Sequence, residues 1–230
     1  MHADYYRNTL YPLQDNVLNI VAAVDNHFYL TGGTALGRAW LHHRYSDDLD
    51  FFVNNDARYK EQVQRIIQAL ERSKLDVERA DMQDSFSRFF IQGEKVRLKI
   101  DFINDIEYRV GEVNSTTLFV RTDTMRNILS NKVTAIGRLE AKDVVDILYI
   151  ARNLSFNWME IFEEAGKKDM WVNPVDTAAL LEQFPIEKTD TIAWIGEKPE
   201  EDEFKEWLHI ATADILTGEN NSLYQGNGRT

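Results

Sequence analysis

Asp48 and Asp50 stand two residues apart at the head of an apolar run, Asp48-Leu49-Asp50-Phe51-Phe52-Val53. In a strand that spacing turns both carboxylates to one face, where they repel unless a cation joins them. Upstream, the run His27-Phe28-Tyr29-Leu30 passes through Thr31-Gly32-Gly33-Thr34 into a helical period. A strand leading through glycines into a helix aims unpaired backbone N–H groups and the positive helix end at an anion, for which phosphate is the natural guest. Asp101, in Lys99-Ile100-Asp101-Phe102, faces away from Ile100 and Phe102 and joins the pair if the two strands are neighbours. Three carboxylates with phosphate oxygens make an all-oxygen shell suited to Mg²⁺ or Mn²⁺. Taken singly, each feature has a plainer reading: a turn, a solvated strand end, a polar residue on a half-exposed strand. Their joint occurrence in this order is what points to chemistry.

The elements that must hold these residues are legible in outline. Residues 5–26 predict an opening helix with Leu13, Val17, Ile20, Val21 and Val24 at helical spacing. Ala35, Leu36, Ala39, Trp40 and Leu41 predict a helix after the glycines, and Val63, Ile66, Ile67 and Leu70 a second one over 57–73 that Asp56 can cap. Strands are expected over 75–79, 88–92, 95–104 and 116–122, the middle two as a hairpin around Gly93-Glu94. Beyond Asp123 the pattern is helical: 124–136, 140–153, 158–168, 174–184 and 200–216. The expected organisation is an α/β domain over 1–122, a helical domain over 123–219 and a flexible polar tail over 220–230. The tryptophans at 158, 171, 194 and 207 are assigned to the core.

Composition narrows the classes. The chain has 230 residues, 43% of them hydrophobic, enough for a substantial core. No apolar run is long enough to span a membrane, and the N-terminus lacks the layout of a secretory signal, so a cytoplasmic protein is expected. The absence of cysteine excludes disulfides, thiolate metal sites and cysteine nucleophiles. A net charge of −12 argues against a nonspecific nucleic-acid coat, yet residues 1–155 are nearly balanced, with 20 Lys+Arg and 22 Asp+Glu. Residues 156–230 carry 6 and 16, so the surplus acid belongs to the last third. Arg121, Arg126, Lys132, Arg138 and Lys142 form a basic density that is the candidate RNA contact. His42-His43 reads as a helix end favoured by the dipole, and Lys142 and Asp146 as a surface pair.

Gly32-Gly33-Thr34-Ala35-Leu36, followed by His43-Arg44-Tyr45-Ser46-Asp47-Asp48-Leu49-Asp50-Phe51-Phe52, resembles the signature of the DNA polymerase β-type nucleotidyltransferase superfamily. The wording resembles more narrowly the AbiEii/AbiGii-type toxin nucleotidyltransferase family. A second block, Lys132-x-x-Ala135-x-x-x-Arg138-x-x-x-Lys142-Asp143-x-x-Asp146-Ile147, is similar to that family's C-terminal helical motif, although Lys132 and Asp143 are closer than in many members. The likeness covers roughly residues 28–153.

The resemblance implies an α+β fold, a polymerase β-like core with a mixed sheet followed by a helical module. It implies that Gly32, Gly33, Thr34, Arg44, Ser46, Lys132 and Arg138 bind a nucleotide. Asp48, Asp50 and Asp101 would hold Mg²⁺ or Mn²⁺, with these acids, Lys132 and Asp143 forming the catalytic set. The implied reaction moves a nucleoside monophosphate from an NTP to a hydroxyl, with tRNA or another RNA as acceptor, in a toxin that has a cognate antitoxin. Two alternatives stay open: a protein or small-molecule acceptor, and a nucleotide-binding module that has lost the chemistry.

Overall fold

The computed structural model describes residues 2–224 and divides the chain into two compact units, Met1–Thr124 and Met125–Thr230. In the first unit a helix over 2–23 (α1) is followed by strand β1 (Tyr29–Thr31) and a helical segment over 32–41 (α2), wound as a π-helix from Ala35 to Leu41. Strand β2 (Leu49–Asn54), helix α3 (Tyr59–Arg72) and strands β3 (Asp76–Met82), β4 (Phe86–Gln92) and β5 (Arg97–Asp105) complete it. These strands form one mixed five-stranded sheet in the order β1-β2-β5-β4-β3, with β2 and β5 parallel and the other neighbours antiparallel.

Strict alternation divides the sheet into two faces. Leu49, Phe51 and Val53 of β2, Phe89 and Ile91 of β4, and Leu98, Ile100 and Phe102 of β5 are all buried. Phe102 is their hub: it stacks on Phe51 at 5.2 Å and meets Phe28 and Phe89 edge-on at 4.9 and 6.0 Å. Helix α3 buries Val63, Ile66, Ile67 and Leu70, the stripe its sequence predicts. The opposite face carries Asp50, Lys99, Asp101 and Arg88, since residues two apart on a strand share a side.

The second unit is helical: α4 (Met125–Ala135), α5 (Ala141–Asn153), α6 (Trp158–Gly166), α7 (Pro174–Glu182) and α8 (Glu201–Thr217), with 3₁₀ turns at Ile136–Arg138 and Ile186–Thr191. Asn157 and Asn173 cap α6 and α7 by accepting the N–H groups of Glu160 and Asp176. Trp158, Leu181, Phe204 and Trp207 are buried in this unit. Among the described residues no helix is long and apolar enough to cross a membrane.

Several expectations are corrected. The opening helix stops at Ala23 rather than 26, because the Asn26 amide takes the carbonyls of Val21 and Val24 at 2.8 and 2.7 Å. Residues 116–122 form no strand: a turn from Thr116 to Phe119 interrupts the segment, leaving single bridges from Thr122 to Leu30 and Asn114. Alternation alone could not reveal that turn. Trp171 is 83% exposed, not core, since it lies in the link between α6 and α7. Residues 220–224, expected in the polar tail, include buried Asn221 and Leu223, and the Asn221 amide donates to the carbonyls of Ala151 and Leu154. The rest of that expected tail, 225–230, lies outside the described residues.

Phe102→Ala removes the aromatic hub of the sheet's covered face. It is expected to lower stability by about 3–5 kcal/mol, measured by urea denaturation.

Candidate active site

The uncovered face of the sheet is organised by register. Thr31 on β1 opposes Asp50 on β2, Asp50 opposes Asp101 on β5, and Asp101 opposes Arg88 on β4. A row of four polar residues therefore crosses four strands, two of them acids on neighbouring parallel strands. Leu49 pairs with Ile100, which brings Asp48 level with Lys99. Strand pairing thus assembles the three acids expected from sequence together with two cations that the motifs did not single out.

The cations are engaged. Arg88 grips Asp101 in a two-pronged ion pair, Nε to Oδ1 and Nη2 to Oδ2, both at 2.7 Å. Lys99 Nζ lies 2.7 Å from Asp48 Oδ2 and 3.9 Å from Asp101 Oδ2. The hydrogen bond to Asp101 holds the Arg88 guanidinium above its ordinary pKa despite some burial, with the charges of Asp101, Asp48 and Asp50 adding. Burial by itself would lower Lys99, but the hydrogen bond to Asp48 and the charges of Asp48, Asp101 and Asp50 outweigh it and leave the ammonium raised. Both cations thus feel all three acids.

The glycine turn closes over this row. Gly32 has φ +67°, a left-handed conformation that costs other residues strain, and a Cβ there would stand 2.6 Å from Asp50 Oδ2. A Cβ on Gly33 would stand 2.6 Å from Arg44 Nη2 and 3.0 Å from Ser46 Oγ. The buried Thr34 hydroxyl donates to the Asp48 carbonyl, fastening the turn to the strand that bears the acid pair. Gly32, Gly33, Thr34, Arg44, Ser46, Asp48, Asp50 and Asp101 are therefore brought together within the first unit.

Residues outside the motifs brace this arrangement. The buried Gln14 amide on α1 donates to the Ser46 and Asp47 carbonyls at 3.1 and 3.2 Å, and the Tyr6 hydroxyl donates to Asp47 Oδ1 at 2.8 Å. Burial, with Asp47 adding, pushes the Tyr6 phenol above its usual range, so it remains a donor. The Thr31 hydroxyl donates at 2.6 Å to Asp123, whose own carbonyl accepts the Trp40 indole N–H at 2.9 Å. Buried Asp123 thereby links β1 and α2. Lys99 and Arg88 had a readable signal, same-face spacing and hairpin register with Asp101; Gln14 and Tyr6 had none. His42 ends α2 in a left-handed conformation, φ 51°, in keeping with a helix terminus.

Lys132, Arg138 and Asp143 belong to the second unit and form a separate cluster there. Lys132 Nζ lies 2.5 Å from Asp143 Oδ1 and 2.9 Å from Asp146 Oδ2, and Arg138 Nη2 lies 3.0 Å from Asp143 Oδ2. Both acids are buried, so Asp146 pairs with Lys132 rather than with Lys142 at the surface. The expected basic density is correspondingly reduced. Arg126 is committed to Glu164 and Glu160, and Arg121 donates to the Phe28 carbonyl and to Asn26. Burial lowers Arg121 from its ordinary pKa, and Lys142 is exposed.

The donor set of the first unit fits a hard divalent cation in kind: carboxylate oxygens on one face, beside a turn rich in N–H groups. Among the described residues no group of three or more His, Asp or Glu side chains is gathered tightly enough to hold an ion, and Asp101 and Asp48 are instead ion-paired to Arg88 and Lys99.

Residues 18–208 match the family described as "Nucleotidyl transferase AbiEii toxin, Type IV TA system". The fold is similar to that of JHP933 from Helicobacter pylori, with 20% identity, a TM-score of 0.59 and 91% of each chain covered. It is similar also to an H. pylori protein provisionally described as a nucleotidyltransferase, with 19% identity, a TM-score of 0.57, and 90% of this chain and 94% of that one covered. No curated protein shows a significant sequence match.

Gly32→Ala forces a side chain into a left-handed backbone position against the Asp50 carboxylate. It is expected to cost about 1–3 kcal/mol in chemical denaturation.

Proposed function

Because the chain belongs to the AbiEii nucleotidyltransferase toxin family of type IV toxin–antitoxin systems, we propose that it transfers a nucleoside monophosphate from an NTP to a hydroxyl, using the acid face of the first unit. The observation that carries this reading is the register of Asp50 with Asp101 on adjacent parallel strands, with Asp48 two residues upstream and Gly32-Gly33 against them. Nucleotidyl transfer needs positive charge at the attacking and leaving oxygens at once, and a row of same-face carboxylates would hold the divalent ions that supply it.

In this reading Asp48, Asp50 and Asp101 hold Mg²⁺ or Mn²⁺. The metal supplies charge compensation for the attacking and leaving oxygens when bound. The turn over Gly32 and Gly33 presents its N–H groups to the triphosphate, with the Arg44 guanidinium and Ser46 hydroxyl beside Gly33 to orient it. The acceptor oxygen forms its bond to the α-phosphorus as the bond from that phosphorus to the bridging oxygen breaks, and pyrophosphate leaves with the electron pair. Asp101, oriented by Arg88, takes the acceptor's proton. Lys132 is the cation assigned to phosphate charge, with Asp143 and Asp146 fixing its ammonium and Arg138 sharing Asp143.

The acceptor proposed is the hydroxyl end of tRNA or another RNA, in a cytoplasmic toxin with a cognate antitoxin. The internal pairing of Arg121, Arg126, Lys132 and Arg138 favours a second reading, a protein or small-molecule hydroxyl, because it leaves less positive charge to attract an RNA backbone.

Incubation with labelled NTP, Mg²⁺ and total tRNA tests both. Label enters RNA under the first reading and protein or a small molecule under the second. In either case Asp48→Ala is expected to lower transfer at least about 1,000-fold, as does removal of the metal by chelation. Transfer that survives Asp48→Ala contradicts the assignment of the acid face.

A further inference from the structure

We propose that Lys99 is a resident counter-cation of the acid face, one that a divalent ion must displace in order to bind. This inference rests on the reading of Asp48, Asp50 and Asp101 as the metal-holding acids. It adds a control on when that site can load.

The argument starts from charge. Three carboxylates share one face of the sheet, and two cations, Lys99 and Arg88, stand among them. The face is thus nearly neutralised by the protein's own side chains. Lys99 Nζ is within hydrogen-bonding distance of Asp48 and also lies 3.9 Å from Asp101, which puts the ammonium between a β5 acid and the acid that leads into β2. A divalent ion held by Asp48 would sit about 2.0–2.1 Å from its carboxylate oxygen. The ammonium, 2.7 Å from the same carboxylate, would then face a like charge within a few ångströms. The two cannot share that oxygen at low cost.

The two cations differ in how readily they can leave. Arg88 makes paired bonds to Asp101 with a rigid planar group. Such a fork loses both bonds if it turns. Lys99 offers a point charge on a flexible stem, and its shortest ion-pair contact is to Asp48 alone. Lys99 is therefore the cation that moves, while Arg88 continues to orient Asp101. The departing ammonium stays tethered to β5 two residues from Asp101, where the phosphates of an incoming NTP offer it new oxygen partners. Metal and nucleotide binding are thereby coupled: the metal releases Lys99, and the triphosphate receives it.

The test is Mn²⁺ binding to chelator-treated protein without nucleotide, followed by calorimetry and by the free-ion electron paramagnetic resonance signal. Lys99→Met is expected to bind Mn²⁺ at least about tenfold more tightly than wild type, since the competing charge is gone. Its melting temperature without metal falls below wild type and rises more steeply on adding Mn²⁺. Lys99→Gln serves as a second variant should the methionine disturb folding, and Asp48→Asn, which removes the charge at the site, abolishes the binding in either background. Equal or weaker Mn²⁺ binding by both Lys99 variants, with binding still dependent on Asp48, overturns the counter-cation role and leaves the proposed function standing. Absence of Asp48-dependent binding in wild type and variants alike overturns the metal site, and this inference with it.

Discussion

Two carboxylates in register on neighbouring strands repel each other, and the organisation of the first unit answers that repulsion. Asp50 and Asp101 are opposed because β2 and β5 run parallel with Leu49 on Ile100 and Phe51 on Phe102. The buried partners on the other face fix the register, since a slip of one residue in either strand would drive that strand's acid into the aromatic core and turn its phenylalanine outward. The core therefore positions the acids: the stacking of Phe51 on Phe102 and the opposition of Asp50 to Asp101 are two sides of one pairing.

The same repulsion accounts for the surroundings. Arg88 and Lys99 lie on the acid face at the alternating positions that strand geometry allots to it, and each forms its closest ion pair with an acid. Gly32 and Gly33 let backbone approach Asp50, Arg44 and Ser46 where a side chain would collide. Helix α1 then holds the loop between α2 and β2 through Gln14 and Tyr6, so the segment leading to Asp48 is tied at both its carbonyls and its side chains. A net charge of −12 is thus compatible with phosphate chemistry: part of the acidity lies on this face beside Arg88 and Lys99, and much of the rest lies in the helical unit.

The hairpin around Gly93 and the helix after the glycines were readable because period-two and helical alternation carry that information directly, whereas the mixed sheet came from the family resemblance and the approach of Asp101 to Asp48 and Asp50 hung on a strand order that alternation does not give. The Thr116–Thr122 segment misled because its alternation matches a strand while the turn from Thr116 to Phe119 depends on side-chain and backbone hydrogen bonds. Trp171 misled because an aromatic in a helical stretch is usually core, and here it falls in a link between helices. The pairing of Lys132 with Asp146, and of Arg126 with Glu160 and Glu164, was hidden for a related reason: charge density in sequence does not say which charges a fold will spend on one another. Gln14 and Tyr6 act across more than thirty residues of chain, beyond any local pattern.

The central claim, that the shared face of β2 and β5 holds the metal, is tested most directly by locating the ion. Crystals grown with Mn²⁺ and a non-hydrolysable NTP analogue would be measured for anomalous scattering. The account predicts a manganese peak bound by Asp48 and Asp50 carboxylate oxygens and by triphosphate oxygens, with the phosphates along the turn at Gly32-Gly33. A peak at the Asp143 and Asp146 cluster instead, or a triphosphate bound away from the glycine turn, would contradict it.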